Sequence, residues 1–354
     1  MYKGRASRKY EQIGKGGGGL DGKRIIIRRI IGHEDYLLFE PHFFCGCVSL
    51  FHILIATCVL HLGGVVTAIV LIAVDEDWSV PVVTSYADWR QRDPTMGGCD
   101  DRNCFITPVF GEVPGRVSLM GLVAAFHGLS FTWQFIVVCG VPGAQKMYTE
   151  ELKNERNWLR WAEYALSAPL MTIVIAIIFG VVDVYLLAVL AICTSGLQAF
   201  GYAQEIFSNT TNNLDKNIRF FPIIAGSVFF LAYWSVVGVA FIESVSNSRS
   251  KPPANMTIAI WMTFFVMTAL FSCFAIVLAV DVAKRQRDYQ YVYIEGAYCI
   301  LSATSKWALG ALLIWVIWIR ETQIQLEFVF SPSCDTTRAA TAMFRNATVA
   351  DGTG

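Results

Sequence analysis

Charge is scarce in this chain and balanced where it occurs: 16% of the 354 residues are ionisable Asp, Glu, Lys or Arg, 28 acidic against 28 basic. With no basic excess to form a polyanion-binding surface, nucleic acid is excluded as a main partner. The ten cysteines include no CxxC pair and no Cys/His spacing suited to zinc, and no HExxH string or nucleophile–base pair stands in an apolar segment. The chain is therefore read as a non-enzyme without a metal. Glycines 16–19 lack the Lys-Ser/Thr that would make them a phosphate loop, so they read as a flexible linker. Most cysteines fall in or beside apolar segments and read as buried thiols. Cys99 and Cys104, five apart in a polar loop, are the candidates for a disulfide. No cleavable signal peptide is expected, because the first apolar segment follows about forty polar residues and suits an internal signal-anchor.

Apolar length is what the sequence has in abundance. Hydrophobic residues make up 55% of it, its mean hydropathy is positive, and seven segments reach the length of a bilayer crossing, at 42–74, 116–141, 157–181, 183–206, 218–245, 256–283 and 292–319. The expected fold is an all-α membrane protein, a seven-transmembrane helix bundle over 42–319. A basic tail (1–41) precedes it, a long acidic loop (75–115) joins helices 1 and 2 as a hairpin or irregular cap, and a tail (320–354) follows. Eighteen of the 28 lysines and arginines fall on the side of the amino terminus, nine of them in residues 1–41, and nine on the other side. The bias predicts a multi-pass protein with its amino terminus cytoplasmic and its carboxyl terminus extracellular. The sequons at Asn255 and Asn346 then lie outside and the one at Asn209 inside.

One lysine interrupts this apolar pattern. Lys306 stands near the middle of the seventh segment, where a cation is costly and needs a partner or a chemical use. Two uses suit it, an ion pair or condensation of its amine with an aldehyde. The partner is Glu163 in the third segment, which a helix continuous from about Glu150 would carry into the interior together with Arg160 and Ser167 on one face. Ser302, one turn before Lys306, is placed to bond either group. A purely structural Glu163–Lys306 bridge is the plainer alternative.

Arg160, Trp161, Glu163, Tyr164, Ser167, Ala168 and Met171, with Lys306 in the last segment, form a pattern that resembles the microbial-type rhodopsins. The inverted topology, Glu at the counterion position and Ser302 one turn before the lysine resemble one branch, the heliorhodopsins. Pro169 departs from that branch, which often has Ser there, and predicts a different kink. The resemblance implies all-trans retinal bound to Lys306 as a Schiff base, Glu163 as counterion, and Ser302, Ser167, Tyr164 and Met171 at the chromophore. It also implies a slow photocycle with a long-lived deprotonated state, a homodimer in the lipid membrane, and signalling to a cytoplasmic partner instead of pumping. The sequence supports the last point independently, since Val174 occupies the position where a pump of this kind places its proton donor. His61 and His127 are the candidate proton acceptors. Trp261, Phe265, Met262 and Phe264, with Tyr233 and Trp234, are the aromatic and soft side chains available to line a polyene slot. Two competing functions remain at this level. One is a light-gated conductor using Glu243 and Glu295 as polar stations, both near enough to interfaces to be solvated. The other is a seven-helix receptor without retinal.

Overall fold

The computed structural model describes residues 49–74, 79–91, 104–141, 143–210, 220–246, 254–284 and 291–330. The basic tail, the glycine run, Cys45, Cys47, Cys99 and the carboxyl-terminal sequon lie outside them, and the side chain of Cys104 is likewise not described. Among the described residues seven helices are long and apolar enough to cross a membrane. They are α1 (Leu50–Val74), α2 (Leu119–Val138), α4 (Trp158–Ile178), α5 (Val184–Thr210), α6 (Phe221–Ser246), α7 (Ala254–Lys284) and α8 (Val292–Phe330), with a short helix α3 (Ala144–Lys153) between α2 and α4. Most boundaries fall within a few residues of the hydropathy reading. The last helix runs eleven residues further than expected, from 319 to Phe330.

The long loop after α1 is an antiparallel hairpin, β1 (Ser79–Gln91) and β2 (Cys104–Ser118), paired from Ser79↔Ser118 to Gln91↔Cys104. The register shifts between Pro81 and Val83, where proline has no N–H to give a ladder. Ser118 ends the hairpin and caps α2, its hydroxyl accepting from the Gly121 amide at 2.9 Å.

At the hairpin end of the bundle the α4–α5 turn is almost as short as a turn can be. Gly180 (φ 89°) donates to Ile177 O and Val181 donates to Ala176 O, the paired reverse bonds that close a helix through a left-handed residue. Asp183 then caps α5, accepting from the Leu186 amide at 2.8 Å. Its other oxygen takes the Ser85 amide and hydroxyl at 2.8 and 2.6 Å, while Val83 N–H donates to Val182 O. One aspartate thus ties the hairpin to the bundle.

α4 is the most enclosed of the seven spans. Pro169 sits inside it and leaves the Ala165 carbonyl without its helical donor. The Ser195 hydroxyl of α5 supplies one at 2.8 Å, so the helix continues through the proline with its polar groups satisfied. Two apolar cores flank the middle of the bundle. One lies towards the hairpin around Val174, Ile175 and Phe126, the other towards α3 around Tyr148, Trp161 and Tyr298.

α4 does not begin near Glu150. α3 stops at Lys153, and Asn157 caps a new helix by accepting from the Arg160 amide at 3.2 Å. Glu163 is therefore only five residues, about 8 Å of helix, from the start of α4. It is enclosed because α2 and α8 close over it with Ser130 and Lys306, not because a long helix carries it deep.

Candidate functional site

The lysine of α8 and the glutamate of α4 meet. Lys306 Nζ donates to Glu163 Oε1 at 3.0 Å and to Ser302 Oγ at 2.7 Å. Their side chains are 2% and 8% exposed, so the two charges compensate each other out of water. The same Oε1 accepts from Ser167 Oγ at 2.8 Å and Ser130 Oγ at 2.5 Å. Ser167 and Ser302 hold these places because each lies one helical turn from its charged neighbour. Ser130, on α2, is added by tertiary packing. Tyr164 lays its ring 5.3 Å from Nζ and anchors its hydroxyl on the Tyr298 carbonyl at 3.0 Å.

A cavity opens from Lys306 between α4, α5, α6 and α7, with about 140 Å3 reachable by the centre of a water molecule. Tyr164, Ser167 and Met171 line it, with Phe230 and Tyr233 from α6, Phe271 and Phe274 from α7, and Gln198 and Gly201 from α5. At Gly201 a Cβ would fall 2.2 Å from the Trp161 ring, so the glycine is what admits that indole. An amine in a wall of aromatic faces suits a conjugated aldehyde of the retinal type: a covalent anchor and a counterion at one end, flat apolar walls along the rest.

Trp261 and Phe265 do not belong to this slot. They are 41% and 55% exposed and pack on each other and on Phe241. Met262 is also exposed, and Phe264 stacks on Phe241 and Trp234. Within the same helix Phe271 and Phe274 face inward, one to three turns further along. The aromatic stripe was legible and its inward face was not. In α6 Tyr233 lines the cavity, while Trp234, about 100° around the helix, packs between Phe230, Phe264 and Phe271.

His61 and His127 are both buried, with their Nδ1 atoms 3.1 Å apart. One nitrogen must donate and the other accept, so the neutral pair shares a hydrogen. Gly64 allows this approach, because a Cβ there would lie 2.6 Å from the His127 ring. Trp307, next to Lys306, touches His127 edge-on and donates its indole N–H to Leu60 O at 3.1 Å.

A second ionic group lies one turn before Glu163 and was not anticipated. Arg160 pairs with both Glu205 of α5 and Glu295 of α8, and all three are buried. Asn157 Nδ2 and Tyr148 OH donate to Glu295 Oε1 at 2.7 and 3.0 Å. Tyr291 OH and the Asn157 amide donate to Glu205 at 2.8 and 3.1 Å. The Tyr298 ring lies 4.0 Å beneath the guanidinium. Burial and the neighbouring Glu295 charge hold the Tyr148 phenol well above its ordinary range, so it is a neutral donor. Glu295 is thus not a solvated station at an interface, and Arg160 is turned away from Glu163. Glu243, the other proposed station, is exposed on α6.

Comparison with known proteins accords with this geometry. A family model described as Heliorhodopsin matches residues 50–320. The transmembrane domain with linker region of Salpingoeca rosetta rhodopsin phosphodiesterase is similar in fold, with a TM-score of 0.50 at 13% identity, covering 95% of this chain and 84% of that one. A second structure, of the transmembrane domain alone, has a TM-score of 0.49 at 14% identity, covering 84% and 88%. No curated protein matches the chain significantly.

Proposed function

Since the chain belongs to the heliorhodopsin family, its model spanning most of the bundle, we propose that the protein is a light-sensing photoreceptor in which Lys306 carries all-trans retinal covalently and Glu163 is the counterion. The observation that carries this reading is the buried Lys306 amine, bonded to Glu163 Oε1 at 3.0 Å in the wall of an aromatic cavity. Bound retinal supplies visible absorption and a light-driven change of shape. The chain does the rest. Glu163 keeps the proton on Lys306 Nζ by compensating its charge, and Ser130, Ser167 and Ser302 fix the two groups against each other. Turning Nζ away from Oε1 removes that compensation and releases the proton. His61 and His127 are its acceptors in this reading, since the pair shares one hydrogen and His61 Nε2 meets no partner among the described residues.

Two observations favour a switch over a pump. Val174, at the position of a pump's donor, is fully buried in the apolar core towards the hairpin. On the other side of the lysine, Arg160 is committed to two carboxylates. The amino terminus lies on the cytoplasmic side, by the excess of basic residues there. The same reading includes a homodimer and a signalling partner on that side.

The test is the visible spectrum of the full chain reconstituted with all-trans retinal, beside Lys306→Ala and Glu163→Gln. The expected result is a visible band that is lost in the first variant and moved to longer wavelength in the second, because a weaker counterion lets positive charge spread along the polyene. Absence of a band in the unaltered protein overturns the reading and leaves a structural ion pair.

A further inference from the structure

The charges that meet around Arg160 do not cancel. Arg160, Glu205 and Glu295 are 6%, 0% and 2% exposed, and among the described residues Arg160 is the one cation bonded to either carboxylate. With both carboxylates ionised the group carries a net charge of minus one. Among the described residues the surrounding groups bring no cation to it. On α3, Tyr148 is a phenol and Glu151 is paired with Arg156 at 3.1 Å. Tyr291, just before α8, and Tyr298 and Cys299 on it are not cationic side chains, and Lys306 is taken by Glu163. Asp281, buried on α7, brings no cation either. A net charge so enclosed is unfavourable enough that a carboxylate takes up a proton instead.

We propose that Glu205 and Glu295 hold one proton between them, which makes the Arg160 cluster a second proton-binding site beside Lys306–Glu163. Uptake is simple in balance: one proton from water adds to one carboxylate oxygen, a carboxylic acid forms, and the cluster goes from minus one to neutral. Among the described residues Glu205 Oε2 meets the Asn157 amide alone, at 3.1 Å, whereas Glu295 Oε1 accepts from two donors and Oε2 faces Arg160. α3 covers the cluster with Tyr148, so exchange with water passes beneath that helix. Arg160 and Glu163 lie one turn apart on α4, and a change of charge at Glu163 therefore alters how firmly the cluster holds its proton.

The test is infrared spectroscopy of the full chain at neutral pH, first in the dark without retinal, in H2O and D2O. This arm does not depend on the photoreceptor reading, so the two fail separately. The expected result is a carboxylic C=O band that shifts on deuteration, disappears in Glu205→Gln or Glu295→Gln, and persists in Glu163→Gln. Glu205→Asp and Glu295→Asp keep the carboxyl if a Gln variant does not fold, and one of them is expected to move the band. With retinal bound, illumination is expected to perturb the same band. A band untouched by all four cluster substitutions, or no such band at all, overturns the proposal.

Discussion

Two buried ionic sites stand one helical turn apart on α4, and they are built on opposite plans. Lys306 and Glu163 form a balanced pair beside open space, their remaining bonds made by three serines whose hydroxyls can turn. Arg160, Glu205 and Glu295 form an unbalanced group with rigid neighbours: two phenols, an amide side chain and a ring beneath the guanidinium. The first plan suits a site whose partners must separate and re-form. The second suits a fixed post against which that movement takes place, and it ties α4, α5, α8 and the short helix α3 together.

The largest effect that can break this comparison comes from removing the two cations side by side. Arg160→Ala leaves the Glu205 and Glu295 carboxyl groups without their cation, and loss of one partner from such a group costs about 3–5 kcal/mol. Lys306→Ala leaves Glu163 with the Ser130 and Ser167 hydroxyls and a cavity that admits water, so a smaller loss is expected. Thermal unfolding of the two variants in the same detergent checks the order. Equal losses would mean that the site beside the cavity is as fixed as the other.

A smaller effect sharpens the boundary between the sites. Trp161 lies edge-on to Tyr164 and Tyr298 and reaches over Gly201. Gly201→Ala places a methyl where the indole now is, and the crowding costs about 1–3 kcal/mol. The ring has the cavity to move into, so the variant is expected to take up retinal less readily while Arg160 keeps both partners. Unchanged uptake, measured by growth of the visible band, would show that the indole yields elsewhere.

The balanced site was legible in the sequence and the unbalanced one was not, for a physical reason. A lysine within an apolar run has few readings, and serines one turn from a charge follow from helix geometry alone. Glu205 and Glu295 fall in the end turns of their spans, where carboxylates ordinarily reach water. The water is kept off by α3, a separate helix where the sequence suggests a continuous one from about Glu150. Ser130 shows the same limit, since nothing in α2 marks it as facing Glu163. The spans themselves were readable because each is predominantly apolar over the length of a bilayer crossing. The slot was only half readable, because periodicity reveals an aromatic stripe but not which way it faces, so Phe271 and Phe274 hold the places expected of Trp261 and Phe265.

The smallest effect belongs to the other end of the bundle, where one charge is only half-buried. The Ser85 hydroxyl, then the Leu186 amide, hold the Asp183 carboxyl below its ordinary range. A folded-state value depressed in this way contributes stability above the usual carboxylate value of about 3.9, and that contribution is lost as pH falls through the lower folded value. Hydrogen exchange at the Ser85 amide is therefore expected to be slow at neutral pH and to quicken, relative to intrinsic rates, in acid. The Val83 amide, bonded to the Val182 carbonyl, depends on no charge and is expected to change less. In Asp183→Asn the acid response at Ser85 should vanish, since an amide side chain does not titrate. If it remains, the hairpin is held by its backbone contact alone, and the aspartate serves only to cap α5.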